Sequence, residues 1–112
     1  MTTDDPAALV AAIHDEAGTT IVALDGELEF ATAASLRATF SDLARNPSGP
    51  VVVDLSALRF VDSIGLSLLV QAQQRFAAEG VPFGLRNPTQ NVARVLETSG
   101  LTELFALDAD ER

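Results

Sequence analysis

Thirty residues in the middle of the chain, Val51–Gly80, restrict the fold more than any others. Asn46-Pro47-Ser48-Gly49-Pro50 stops whatever precedes them, because two prolines and a glycine within five residues cannot continue a helix. Val51–Leu55 follows at once; it is short, apolar and β-branched, and reads as a central strand. Beyond a tight loop the apolar spacing turns helical. From about Ser63 to Glu79, Leu66, Leu69, Val70, Phe76 and Ala77 fall on one stripe, and Gly80 stands where a helix C-cap prefers glycine. A buried strand feeding directly into an amphipathic helix is half of a β-α-β unit, which needs a sheet with parallel neighbours.

The flanking segments supply that sheet. Leu9–Glu16 and Thr19–Asp25 read as two strands with Gly18 between them, a spacing that predicts an antiparallel hairpin. Gly26–Phe30 reads as a loop, with Thr32 as the N-cap of a helix over Ala33–Ala44 whose inner face carries Leu36, Phe40 and Leu43. After the central unit, Pro82–Arg86 reads as a short strand near an edge, since Pro82 and Gly84 weaken it. Asn87-Pro88 predicts a helix start, with Asn87 as N-cap and Pro88 first inside, and Val92, Val95 and Leu96 as the inner stripe. Leu104–Leu107 is a last short apolar run, expected as a final strand. The expected class is therefore α/β: a small mixed sheet, antiparallel in its first hairpin and parallel afterwards. Right-handed crossovers put the helices mostly on one face. One domain over residues 1–112 is expected, its core at about residues 7–107.

Charge and composition narrow the function. A net charge of −9 leaves no basic stripe to displace counterions from phosphates, which argues against nucleic acid and against anionic lipid as partners. It suits a protein partner with basic residues. All seven basic residues are Arg, so Schiff-base chemistry and phosphate-loop nucleotide binding lose their lysine. There is no Cys, and His14 is the only histidine. That excludes thiolate chemistry and a His/Cys metal cluster, and the scattered carboxylates form no calcium loop. No catalytic residue, metal or cofactor is expected. A triad of Ser63, His14 and an aspartate would need the fold to unite them, and the strand-to-helix serine elbow of hydrolases is absent. The acidic N-terminus and the lack of any apolar run of about 20 residues predict a cytoplasmic protein with neither a signal peptide nor a membrane span.

Asp62-Ser63-Ile64-Gly65 is the candidate site. At minimum Asp62 or Ser63 caps the helix and Gly65 permits close packing of its first turn, capping alone contributing about 1 kcal/mol. Ser63 is also a candidate phosphoacceptor. A phosphate there would face free backbone N–H groups at the positive end of a helix, so the fold could carry it.

Leu58-Arg59-Phe60-Val61-Asp62-Ser63-Ile64-Gly65-Leu66 resembles the signature of the STAS domain of bacterial anti-sigma-factor antagonists. Further segments resemble the family in order: Asp25-Gly26-Glu27-Leu28-Glu29, Val52-Val53-Asp54-Leu55-Ser56, and Val95-Leu96-Glu97-Thr98-Ser99-Gly100-Leu101. The resemblance implies a switch. The unphosphorylated antagonist binds an anti-sigma factor that is also a serine kinase, which frees the sigma factor; phosphorylation at the position of Ser63 expels the antagonist, and a phosphatase resets it. It also implies a partner-binding surface of Glu27, Glu29, Asp62, Ser63, Ile64, Gly65 and Leu66, with Glu27 and Glu29 repelling an incoming phosphate if their loop lies beside Ser63. Two positions depart from the family pattern: Ile64 stands where Ser or Thr is common, and Glu29 replaces an Asp. The alternative within the same resemblance is an accessory subunit of a lipid-transport ATPase complex or a signalling scaffold, with Ser63 as a contact residue.

Overall fold

The computed structural model describes residues 8–101, and the last apolar run, Leu104–Leu107, lies outside them. Strands β1 (Leu9–Glu16) and β2 (Thr19–Leu28) form the expected hairpin. Its two turn residues, Ala17 and Gly18, both take positive φ, the geometry whose twist matches paired strands. Helix α1 (Phe30–Arg45) leads to β3 (Val51–Val61), then α2 (Ser63–Ala78), β4 (Phe83–Arg86) and α3 (Gln90–Thr98). The sheet has the order β1-β2-β3-β4, antiparallel at the first pairing and parallel at the other two.

Strand alternation decides which face the helices cover. Val22, Leu24, Val51, Val53 and Leu55 point to one side and are buried. They join Leu36 and Phe40 of α1, Leu68, Leu69 and Phe76 of α2, and Val92 and Leu96 of α3 in a single cluster. Each such side chain contributes roughly 1.5–3 kcal/mol by leaving water. Phe76 stacks on Phe83 at 5.4 Å and meets Phe40 edge-on at 6.3 Å, which ties both long helices to the edge strand β4. The α2 stripe differs slightly from expectation: Leu68 and Ala72 belong to its buried centre, Leu66 and Val70 are half-buried, and Ala77 is exposed.

Several boundaries move, each for a local reason. β2 runs on through Gly26–Leu28 rather than turning at Asp25, because it continues to pair with β3. β3 likewise does not stop at Leu55. Between the pairs Ala23–Asp54 and Asp25–Ala57, and again between Gly26–Leu58 and Glu27–Phe60, β3 spends one more residue than β2. Two bulges result, and burial along β3 changes from every second residue to Leu55, Leu58 and Val61. A period of three inside a strand does not read as a strand, so residues 56–61 look like a loop in sequence.

The bulges also move the start of α3. The Thr89 hydroxyl donates to the Leu58 carbonyl at 3.2 Å and accepts the Val92 N–H at 3.2 Å, while the Asn91 amide donates to the Arg59 carbonyl. Thr89, not Asn87, is therefore the N-cap, and Pro88 precedes the helix. Asn87 takes φ +56°, outside the extended region a cap residue needs.

The sheet face away from the helices carries an ion chain. The Arg86 guanidinium donates to both carboxylate oxygens of Glu16 at 3.2 Å and, through Nε, to Asp54 at 3.1 Å. This links edge strand β4 through β3 to edge strand β1. Burial pulls the Asp54 carboxyl upward, but hydrogen bonds from Ser56 and Arg86 outweigh it and hold the group below its ordinary value. Hydrogen bonds from Arg86 and then His14 lower Glu16 in the same way.

A carboxyl lowered in the folded state stabilises the fold above its ordinary pKa, and that contribution is lost as pH falls through the lowered value. Arg86→Met should therefore reduce the Tm at about pH 7 and flatten its decline toward about pH 3, measured by thermal melts across that range. Parallel Tm-versus-pH curves for the two proteins would contradict this role for the ion chain.

Candidate functional site

The parallel pairing of β2 with β3 holds through Leu28 and Val61, so both strands end together. Their following helices, α1 and α2, start side by side, with the Asp62 N–H donating to the Leu28 carbonyl at 3.2 Å. Asp62 is the N-cap of α2, and its carboxylate serves both helices. Oδ1 accepts the Gly65 N–H of α2 at 2.8 Å, and Oδ2 accepts the Phe30 N–H of α1 at 3.1 Å. One anion thus lies between the positive ends of two sixteen-residue helices. This cross-strand bond also explains why α1 begins at Phe30 and not three residues later. Thr32, expected as the N-cap, instead sits in the first turn. Its hydroxyl accepts the Glu29 N–H at 3.0 Å and donates to the Glu27 carbonyl at 2.8 Å, with Glu29 as the cap residue.

Gly65 is required by space. A Cβ there would lie 2.7 Å from Leu28 Cγ, 2.8 Å from the Leu28 carbonyl oxygen and 2.9 Å from Val61 Cγ2. The first turn of α2 therefore seats directly on the ends of β2 and β3, and Ser63 is carried outward. Ser63 is exposed, and among the described residues its hydroxyl has no hydrogen-bond partner.

The residues singled out in sequence converge here. Glu27 and Glu29, half-buried, belong to the segment paired with Phe60 and Val61 or directly following it, so the Gly26–Glu29 stretch borders the Asp62-Ser63 turn. Ile64 is exposed, Leu66 half-buried and Gly65 buried. On its other side Ser63 borders an apolar groove lined by Leu66, Ser67, Val70, Ser99 and Leu101.

Two side chains of this surface escape a sequence reading. Phe30 is 77% exposed at the first position of α1, and Phe60 is 43% exposed on the last stretch of β3. Phe30 lies off the Ala33–Leu36–Phe40–Ala44 stripe that faces the core, and that offset is the signal that could have found it. With Ile64 they put three large apolar groups on the rim of an otherwise acidic site. His14 is far away. It pairs through Ile21 with Val52, nine residues of β3 before Val61, a separation of roughly 30 Å along a strand. No triad with Ser63 forms. Among the described residues no group of three or more His, Asp or Glu could hold a metal ion, and no helix is long and apolar enough to cross a membrane.

A protein-family model described as "Mlab, STAS domain" matches residues 11–107. The chain belongs to the STAS family. This STAS domain is 26% identical over 102 residues to the anti-sigma-F factor antagonist RsfB of Mycobacterium tuberculosis, covering 91% of this chain and 83% of the relative. Among solved structures it resembles an anti-sigma factor antagonist from Mycobacterium paratuberculosis, with a TM-score of 0.85, 25% identity and coverage of 96% and 92% of the two chains. SpoIIAA of Bacillus in its unphosphorylated form shares the fold at a TM-score of 0.75, with 22% identity and 90% of each chain covered.

Removing the shared cap should loosen both helices at once. Asp62→Ala loses two backbone hydrogen bonds to a charged acceptor and should cost roughly 2–4 kcal/mol in urea denaturation. Asp62→Asn, which keeps one oxygen acceptor, should cost less. Gly65→Ala should cost about 1–3 kcal/mol, because its three clashes are with a backbone oxygen and two core side chains. Equal stability of Asp62→Ala and wild type would refute the shared cap.

Proposed function

We propose that this STAS domain is an anti-sigma-factor antagonist, a non-enzymatic cytoplasmic binding switch controlled at Ser63. The unphosphorylated form binds an anti-sigma factor that is also a serine kinase and so releases the sigma factor. The observation that carries the reading is the Ser63 hydroxyl, exposed and without a hydrogen-bond partner among the described residues, in the first turn of a helix whose start is locked by Asp62 and Gly65. Relatives named as anti-sigma factor antagonists support the same role.

The switching step follows from charge. The kinase transfers the γ-phosphoryl group of ATP to Ser63 Oγ, ADP leaves, and the hydroxyl proton is lost to solvent or to a kinase base. The product carries about −1.5 to −2 additional charge at neutral pH. On the free protein, the unpaired N–H groups at the start of α2 and surrounding water accommodate it. In a complex the same dianion is desolvated beside Asp62, Glu27 and Glu29, and like charges at close range repel. Phosphorylation therefore leaves the fold intact and abolishes the docked state. Phe30, Phe60 and Ile64 supply the apolar contact area around the switch. A phosphatase that hydrolyses the phosphoserine restores binding.

Ser63→Ala should bind the anti-sigma factor and resist release by ATP, whereas Ser63→Asp should bind at least about tenfold more weakly, both read by calorimetry at matched fold stability. Incubation of wild type with the anti-sigma factor and ATP should add one phosphate by mass, at Ser63. No binding to the anti-sigma factor, and no mass change with any candidate kinase, would instead indicate an accessory subunit of a lipid-transport ATPase complex or a signalling scaffold, in which Ser63 is only a contact.

A further inference from the structure

Away from the Ser63 turn, α1 and α2 leave a cleft between their outward faces. Phe40, Leu68 and Ala72 form its floor, and Arg37, Ser41 and Arg75 its walls. Its volume is about 160 Å³, close to that of a cavity known to take one benzene-sized group. One apolar side chain fits it.

The two arginines set it apart on a chain of net charge −9. Arg45 pairs with Asp42, Arg59 with Asp25, and Arg86 with Glu16 and Asp54. Among the described residues Arg37, Arg75 and, on α3, Arg94 pair with no carboxylate, although acidic side chains outnumber basic ones by 16 to 7, and Arg37 and Arg75 are the two at this cleft. The two come from different helices yet line the same cleft. Arg75 lies in the last turn of α2, where the helix dipole already favours a cation. A guanidinium forms paired, directional bonds with a carboxylate, so each wall is built to receive one.

We propose that this cleft docks an acidic peptide segment of a partner protein, one apolar side chain entering between Phe40 and Leu68 while flanking carboxylates bond Arg37 and Arg75. Ser63 does not line this cleft, although Gln71 lines both it and the groove beside Ser63, and the proposal does not depend on the antagonist reading. It gives an acidic domain a way to hold a second, acidic partner while the Ser63 surface is occupied.

The probe is a capped twelve-residue peptide with a central leucine and aspartate or glutamate on both sides, titrated into ¹⁵N-labelled full-length protein. The controls are the same peptide with lysines for the acids, and with serine for the leucine. The expected result is saturable shifts at Arg37, Ser41, Leu68 and Arg75, weakened by salt and absent with the lysine peptide. Binding should fall at least about tenfold in Arg37→Glu/Arg75→Glu, and also in the milder Arg37→Gln/Arg75→Gln. Both sites are exposed, so an unchanged pattern of dispersed resonances will establish that each variant is folded. No saturable shift, equal response to the lysine peptide, unaltered binding by the folded double variants, or shifts confined to Ser63–Leu66 would each overturn the proposal.

Discussion

The carboxylate of Asp62 holds the functional end of this domain together. Two helices begin at adjacent strand ends, each with unpaired N–H groups and a partial positive charge. A single anion accepts from both, at Gly65 in one and Phe30 in the other. Without it, two positive helix ends would face each other across a parallel strand pair. With it, the start of α1 and the start of α2 are fixed relative to one another, and the residues they carry outward, Phe30, Ser63 and Ile64, form one surface.

The strands beneath are shaped to allow this. Two bulges in β3 let it keep pace with β2 while turning its last residues toward the helix start. The backbone groups that a bulge would otherwise leave unpaired find side-chain partners: the Asp54 carboxylate takes the Ser56 N–H, and Thr89 and Asn91 take the carbonyls of Leu58 and Arg59. The distortion that aims the switch is thus tied to α3 as well. Gly65 closes the arrangement, since any side chain there would push α2 off the strand ends and carry Ser63 with it.

Much of this is legible in the sequence, and the misses have a common cause. The hairpin, the order of elements, the mixed sheet and the α2 start at Ser63 follow from local periodicity and from breakers such as Asn46–Pro50. The reading fails where a long-range contact overrides local preference. Asp62 reaches thirty-two residues back to set the start of α1, so Thr32 loses its expected role. β3 abandons period two, so its second half resembles a loop. Thr89 is chosen over Asn87 because it faces a bulge carbonyl. Glu27 and Glu29 are candidates from sequence, but what puts their stretch along the Asp62-Ser63 turn is the register of β2 on β3, a property of the paired strands and of neither alone. Phe30 follows the same rule: its place off the core-facing stripe shows only once Asp62 has set the start of α1.

An acidic platform rimmed by Phe30, Phe60 and Ile64, with the exposed Ser63 hydroxyl beside it, suits the electrostatic switch we propose: the free fold would tolerate the added charge, and a bound partner would not. Hydrogen exchange on this domain, free and mixed with the anti-sigma factor proposed as its partner, tests that account most directly. It predicts slowed exchange at Phe30–Thr32 and at Ser63–Leu66 in the complex, with those amides released once ATP is added. A footprint on the Glu16–Arg86 face of the sheet, with both helix starts exchanging as in the free protein, would contradict it.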